Sequence, residues 1–142
     1  YAAQFDDKIL IEEEIIGKEI ECAVLGNEDV KATCVGEILP AEDFYTFDAK
    51  YKNAESKVVI PAEIPEEKQQ EIKSLAIKAF QAVDGKGLAR VDFFIRKKDN
   101  QVCINEINTL PGFTQISMYP KLWEHCGLPY SKLLDKLIEL AY

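Results

Sequence analysis

Histidine is almost missing from the chain: of its 142 residues only His125 carries an imidazole, so zinc sites built from several histidines are excluded. The four cysteines, Cys22, Cys34, Cys103 and Cys126, form no C-x-x-C pair, which removes the usual spacing for zinc or for a dithiol redox centre. They are expected to be buried, reduced thiols of a cytoplasmic protein. A Cys–His nucleophilic pair is excluded as well, because Cys126 and His125 are neighbours that would point apart on a helix. Basic residues are the minority, 17 against 25 acidic ones, for a net charge of -8. Neutralising nucleic-acid phosphates needs a basic face, so no nucleic-acid partner is expected. No apolar run approaches the roughly 20 residues of a membrane-spanning helix, and the first residues lack the pattern of a secretory signal, so no membrane partner is expected either. Methionine occurs once, at Met118, while the chain opens at Tyr1. Two readings fit that start: a trimmed chain, or one from which part of the functional protein is absent.

What is present is the material of one globular domain. Hydrophobic residues make up 47% and charged residues 30%. At this length about two-thirds of the unfolded surface can be buried. Lys8–Ile16, Glu19–Leu25 and Lys31–Leu39 read as extended segments, with Gly26-Asn27 as a turn, so a β-meander is expected. Residues 40–57 mix charges and aromatics without a period and read as a long ordered loop of the kind that often carries function. Pro65 opens a helix whose apolar face is Ile72, Leu75, Ala76, Ala79, Phe80 and Val83, ended by Gly85 and Gly87. Leu88–Arg96 and Gln101–Ile107 then form a hairpin through Lys97-Lys98-Asp99-Asn100. Short helices follow at Tyr119–His125 and Ser131–Leu140, placing Phe113, Tyr119 and Trp123 in the core rather than in an aromatic patch and leaving His125 without a role. The expectation is an α+β fold: an antiparallel sheet with helices packed on one face.

The hairpin carries the chemistry. Alternation places Arg90, Asp92 and Phe94 on one face of its first strand, and Ile104, Glu106 and Asn108 on one face of the second. Antiparallel pairing would gather Arg90, Asp92, Glu106 and Asn108. Hard oxygen donors beside a guanidinium suit magnesium with phosphate oxygens, and arginine suits developing negative charge. Taken alone, the same residues also fit an exposed hairpin face with two salt bridges. The continuation Asn108-Thr109-Leu110-Pro111-Gly112-Phe113-Thr114 favours a site, because it runs from the carboxylates into a turn where Gly112 admits close approach to the main chain.

Gly87-Leu-Ala-Arg-Val-Asp-Phe-Phe94 with Ile104-Asn-Glu-Ile-Asn-Thr-Leu-Pro-Gly-Phe-Thr114 resembles the signature of D-alanine–D-alanine ligases, members of the ATP-grasp superfamily. The resemblance extends through Ser117-Met-Tyr-Pro-Lys121, Phe44-Tyr-Thr-Phe-Asp-Ala-Lys-Tyr51 and Ile11-Glu-Glu-Glu14 with Gly17-Lys-Glu-Ile-Glu21, so it covers nearly the whole chain. It implies that residues 1–142 are the C-terminal ATP-grasp lobe of such a ligase. The reaction would use ATP to make an acylphosphate of one D-alanine, which the amine of a second D-alanine attacks. The fragment alone would be inactive, its partners being D-alanine, the N-terminal and central parts of the same enzyme and, at full length, a second copy in a homodimer.

The resemblance also implies roles. Asp92, Glu106 and Asn108 would bind two Mg2+ ions, with Mn2+ as a substitute. Arg90 and the Gly112 N–H would hold the oxyanion of the tetrahedral intermediate. Ser117 and the Met118 N–H would receive the carboxylate of the second D-alanine. Lys50 would contact the transferred phosphate, and Tyr51 would close the substrate site from the long loop. Glu12 would accept a hydrogen bond from the adenine amino group, the backbone at Glu13 and Ile15 would read the ring edge, and Glu19 would hold the ribose hydroxyls. Phe94 either walls the adenine pocket or is a core aromatic, and Glu14 belongs to a solvated face. D-alanyl-D-serine and D-alanyl-D-lactate ligases share most of these motifs, although Lys50-Tyr51 resembles the dipeptide-forming type. A noncatalytic nucleotide- or metal-binding module is the alternative of a different class.

Overall fold

The computed structural model describes residues 1–39 and 57–142; the long loop, with Lys50 and Tyr51, lies outside them. Five strands form one antiparallel sheet: β1 (Gly17–Gly26), β2 (Lys31–Leu39), β3 (Lys57–Val59), β4 (Gly87–Arg96) and β5 (Val102–Asn108). The order across the sheet is β3-β2-β1-β4-β5, so β1 is central and pairs with both β2 and β4. Among the described residues there are three α-helices, α1 (Glu66–Ala82), α2 (Met118–His125) and α3 (Tyr130–Leu140), and a short 3-10 turn at Ala2–Gln4. The α+β class and the antiparallel sheet are those expected.

Alternation along the two middle strands sorts the core. Ile20, Cys22 and Val24 of β1, with Ala89, Val91, Phe93 and Ile95 of β4, turn to one face and pack against Ile72, Ala76 and Phe80 of α1. Ala23 and Leu25 turn to the other face, where Met118, Tyr119 and Trp123 of α2 and Leu133 of α3 cover them. The helices therefore occupy both faces, not the single face expected from sequence. Both β1 and β4 carry apolar residues on each side at their Gly26/Gly87 ends, so each face needs a cover.

Three further expectations are corrected. Lys8–Ile16 forms no strand; its Ile9, Leu10, Ile11 and Ile16 are exposed, because without alternation the segment has no apolar face to lay on the sheet. Val83 is exposed beyond the end of α1, where the Gly85 N–H closes the turn onto the Phe80 carbonyl at 2.9 Å. Of the cysteines only Cys22 is buried; all four are free thiols. Of the three aromatics expected in the core, Tyr119 and Trp123 are buried, the Tyr119 hydroxyl donating to the Val24 carbonyl at 2.9 Å, while Phe113 is only half-buried against the same cluster.

Asn27 ties the ends together. Its Oδ1 accepts from the Gly87 N–H at 2.9 Å and its Nδ2 donates to the Leu140 carbonyl at 2.8 Å, so one turn residue links the start of β4 to the end of α3. Phe80 is fully buried, its ring reaching under Gly85 where a Cβ would lie 2.4 Å away. Phe80→Ala is expected to destabilise the chain by about 3–5 kcal/mol, read as a lowered midpoint in denaturant unfolding of the purified chain.

Candidate functional site

The α2–α3 cover stops short of half the sheet. Past Ala23 on β1 come Glu21 and Glu19, on the same face, and past Leu88 on β4 come Arg90, Asp92 and Phe94. The register sets Glu21 opposite Asp92, Glu19 opposite Phe94, Asp92 opposite Glu106, and Arg90 opposite Asn108. Three neighbouring strands thus bring acids, an amide and an arginine onto one patch that, among the described residues, no helix covers. The hairpin register unites Arg90, Asp92, Glu106 and Asn108 as the sequence led one to expect. A bulge follows Glu106, however: Asn105 drops out of the pairing and Ile104 falls opposite Phe93, so Ile104 does not continue the Glu106–Asn108 face.

The patch is tightly bonded. Arg90 forks onto Asp92, Nε to Oδ1 at 2.7 Å and Nη2 to Oδ2 at 2.6 Å, the planar two-point geometry peculiar to arginine. Asn108 Nδ2 donates to Asp92 Oδ2 at 3.0 Å and to Glu106 Oε1 at 2.8 Å. Glu21 Oε2 lies 3.1 Å from Arg90 Nε. Asp92 is 4% and Glu21 6% exposed, so both carboxylates are withheld from water.

Electrostatics follow from that crowding. Burial first, and the Asp92 charge second, push Glu21 up to about 7, with Arg90 only partly offsetting them. Burial also raises Asp92 against the pull of Arg90, and raises Glu19. Arg90 is held above its ordinary value, chiefly by its hydrogen bonds to Asp92. One guanidinium faces several acids, which leaves a surplus of negative charge suited to a cation. Among the described residues no three His, Cys, Asp or Glu side chains converge on one metal position. The set from which a cation would be held is two carboxylates and a carboxamide. Those are hard donors of the kind magnesium shares with water and phosphate oxygens.

Next to the patch runs a groove of about 410 Å³ lined by Glu12, Glu13, Glu14, Ile15, Phe94, Ile104 and Asn105. It brings the expected Glu12, Glu13 and Ile15 beside Phe94, and Phe94 faces Glu19 across the β1–β4 pair. Phe94 is half-buried at this groove and absent from the buried core. On the other side of the patch, Gly36 lies opposite Glu21, and the Met118 side chain crosses over it; a Cβ there would sit 2.8 Å from Met118 Sδ. The bare glycine lets α2 start against the acidic patch. Ser117, the residue before α2, gives its hydroxyl to Thr114, accepting from the Thr114 N–H at 3.0 Å, and a Cβ on Gly112 would lie 3.1 Å from Ser117 Oγ. The Gly112–Ser117 loop is therefore folded on itself. A second hollow, of about 460 Å³, lies beside α2 between Gln115, Lys121 and Tyr130, and shares no residue with the patch.

Residues 1–139 match the family model described as D-ala D-ala ligase C-terminus. The chain belongs to that family. The chain is 58% identical over 141 residues to the D-alanine–D-alanine ligase of Acetivibrio thermocellus, a match covering 99% of this chain and 38% of the relative. The structure of the D-alanine–D-alanine ligase from Coxiella burnetii matches with a TM-score of 0.82 at 45% identity, over 98% of this chain and 36% of that one. The VanG D-Ala:D-Ser ligase from Enterococcus faecalis matches with a TM-score of 0.78 at 38% identity, over 92% of this chain and 38% of that one. A Bacillus anthracis D-alanine–D-alanine ligase complexed with ATP matches with a TM-score of 0.73 at 31% identity, over 91% of this chain and 39% of that one. This member of the D-ala D-ala ligase C-terminus family thus spans well under half the length of its curated relatives.

Glu21 is the residue that sequence reading passed over. The signal was available: Glu19 and Glu21 stand two apart on a strand, hence on one face, but only the β1–β4 register shows that the face is the one bearing Asp92. Ile104 and Asn105 also line the groove, where the sequence had not placed them. The raised Glu21 acid has a measurable sign. It binds its proton more tightly folded than unfolded, so its contribution to stability is complete below pH 4.5 and is lost as pH rises to about 7. Without divalent cation, the chain should lose stability across that window, and Glu21→Gln should flatten the loss in denaturant unfolding measured at stepped pH.

Proposed function

We propose that residues 1–142 are the C-terminal ATP-grasp lobe of a D-alanine–D-alanine ligase, joining two D-alanines at the expense of ATP for peptidoglycan synthesis in the cytoplasm. Support comes from the family membership, and one structural observation carries the reading. An acidic patch with one arginine opens directly onto a groove lined by Glu12, Glu13, Ile15 and Phe94.

In this reading the groove takes the adenine, with Glu12 accepting from its amino group, the backbone at Glu13 and Ile15 meeting the ring edge, and Glu19 meeting the ribose. Phe94 supplies an apolar wall. The phosphates then lie over Asp92, Glu106 and Asn108, which hold magnesium ions that neutralise phosphate charge. The donor set fits: two carboxylates and a carboxamide already within hydrogen-bond reach of one another, in a site with more negative than positive charge. Lys50 contacts the phosphate being transferred, and Tyr51 closes the site. The amine of the second D-alanine attacks the acylphosphate carbon of the first, and Arg90 with the Gly112 N–H stabilises the oxygen on which negative charge gathers. Ser117 and the Met118 N–H receive the carboxylate of the second D-alanine. Most of the catalytic effect would be positioning and charge stabilisation. The other lobe would close the nucleotide from water, which is why this lobe alone should release no phosphate.

Relatives of higher identity named D-alanine–D-alanine ligase favour D-alanine over D-serine as the second substrate. Phosphate release by the full-length ligase carrying these residues, compared with D-alanine, D-serine and D-lactate, tests the reading; ATP and Mg2+ binding without turnover on any of them would refute it. In that enzyme Asp92→Asn and Glu106→Gln should each abolish turnover with the circular dichroism spectrum unchanged. Near-normal turnover in either would remove that residue from the metal set. Arg90→Lys should lower kcat by about 10²–10³-fold, since a point charge cannot replace the planar fork. A loss under about threefold would make Arg90 structural.

A further inference from the structure

Glu21 belongs to no role assigned above, yet it is 6% exposed and, among the described residues, its Oε2 has no hydrogen-bond partner. That orphaned oxygen points at Arg90, 3.1 Å from Nε. The Nε–H is spent on Asp92 Oδ1 at 2.7 Å, so Glu21 receives charge from the guanidinium but no proton. A buried carboxylate oxygen left in this state is costly, and in a native site it calls for an explanation such as a catalytic role or an ion.

The patch contains a second arrangement in which that oxygen is used. Asp92 commits both oxygens to Arg90, and Oδ2 also accepts from Asn108. If Asp92 is a metal ligand, as proposed above, a divalent cation at Asp92 repels the guanidinium and competes for the same oxygens. Arg90 must then leave the fork without leaving the site. The side chain on the opposite flank, in the next strand and already within 3.1 Å, is Glu21. Directly across from Arg90 stands Ala23, which offers nothing to hold. On its other side Glu21 lies opposite Gly36, which Met118 roofs.

We propose that Glu21 is a positioning residue for Arg90: the carboxylate that takes over the guanidinium when a cation takes Asp92, keeping Arg90 aimed at the reacting oxygen. In effect the arginine is handed between two acids. Asp92 holds it in the cation-free site and Glu21 holds it in the loaded one.

The test uses the full-length ligase carrying these residues and varies Mg2+ at saturating ATP and D-alanine. Glu21→Gln keeps the shape and removes the charge, so it should fold. With no carboxylate to receive Arg90, the cation must displace the fork unaided. The half-saturating Mg2+ concentration should rise at least about fivefold, both in turnover and in calorimetric titration of Mg2+ into the ATP-bound enzyme without D-alanine, and kcat should fall about tenfold or more, with the D-alanine KM little changed. Glu21→Asp should recover part of both effects. In an Arg90→Lys background the Glu21→Gln change should have little further effect, because the two residues act as a unit. A Glu21→Gln enzyme with ordinary Mg2+ dependence and kcat, or losses that simply multiply with those of Arg90→Lys, would overturn the proposal. Asp92→Asn keeps this separate from the reading on which it rests. If that variant retains Mg2+-dependent turnover, the metal assignment fails; if it is inactive while Glu21→Gln is unaffected, only the role of Glu21 fails.

Discussion

The antiparallel pairing of β1 with β4 is the constraint on which the rest depends. Its register, unbroken from Gly17 opposite Arg96 to Gly26 opposite Gly87, sets Glu21 beside Asp92 and Glu19 beside Phe94. Carboxylates placed this closely and withheld from water repel one another, and burial alone disfavours their charge. The fork from Arg90 to Asp92 is what makes the cluster tolerable, and it does so incompletely: Glu21 stays raised to about 7 and one of its oxygens stays orphaned. A fold that only needed stability would place apolar residues on these positions. The surplus negative charge instead gathers hard oxygen donors on one patch, the feature on which the proposed cation site rests.

Uneven cover on the sheet turns this patch into a site. The α1 helix packs along one face through Ile72, Ala76 and Phe80, and that face is core. On the other face α2 and α3 seal only the end marked by Ala23 and Leu25. The boundary between sealed and open halves falls at Gly36, where Met118 crosses the strand, so the start of α2 and the loop holding Gly112 and Ser117 stand at the rim of the acidic patch. At the opposite rim the strandless Glu12–Ile15 segment and Phe94 form the groove. The groove and the Gly112–Ser117 loop thus flank a single charged centre, the arrangement on which the proposed function rests.

Much of this was legible from local pattern. Helix α1, the two turns and the β4–β5 hairpin follow from periodicity, glycine and polar turn residues, and these act within a few residues of themselves. The grouping of Arg90, Asp92, Glu106 and Asn108 needed only alternation and a short hairpin. The strand expected over Lys8–Ile16 was wrong because β-branched residues there lack the alternation that pairing with a half-buried sheet demands.

By itself the sequence determined the three helices, the four long strands, the hairpin face, the exclusion of a multi-histidine site, and the family resemblance. Only the tertiary structure decided which strand lies beside β4, that helices cover both faces, and that a bulge breaks the β4–β5 pairing at Asn105. The physical reason is range. Periodicity and turn chemistry are written into consecutive residues, whereas the partnership of Glu21 with Arg90 joins residues on separate strands and exists only once the β1–β4 register is set.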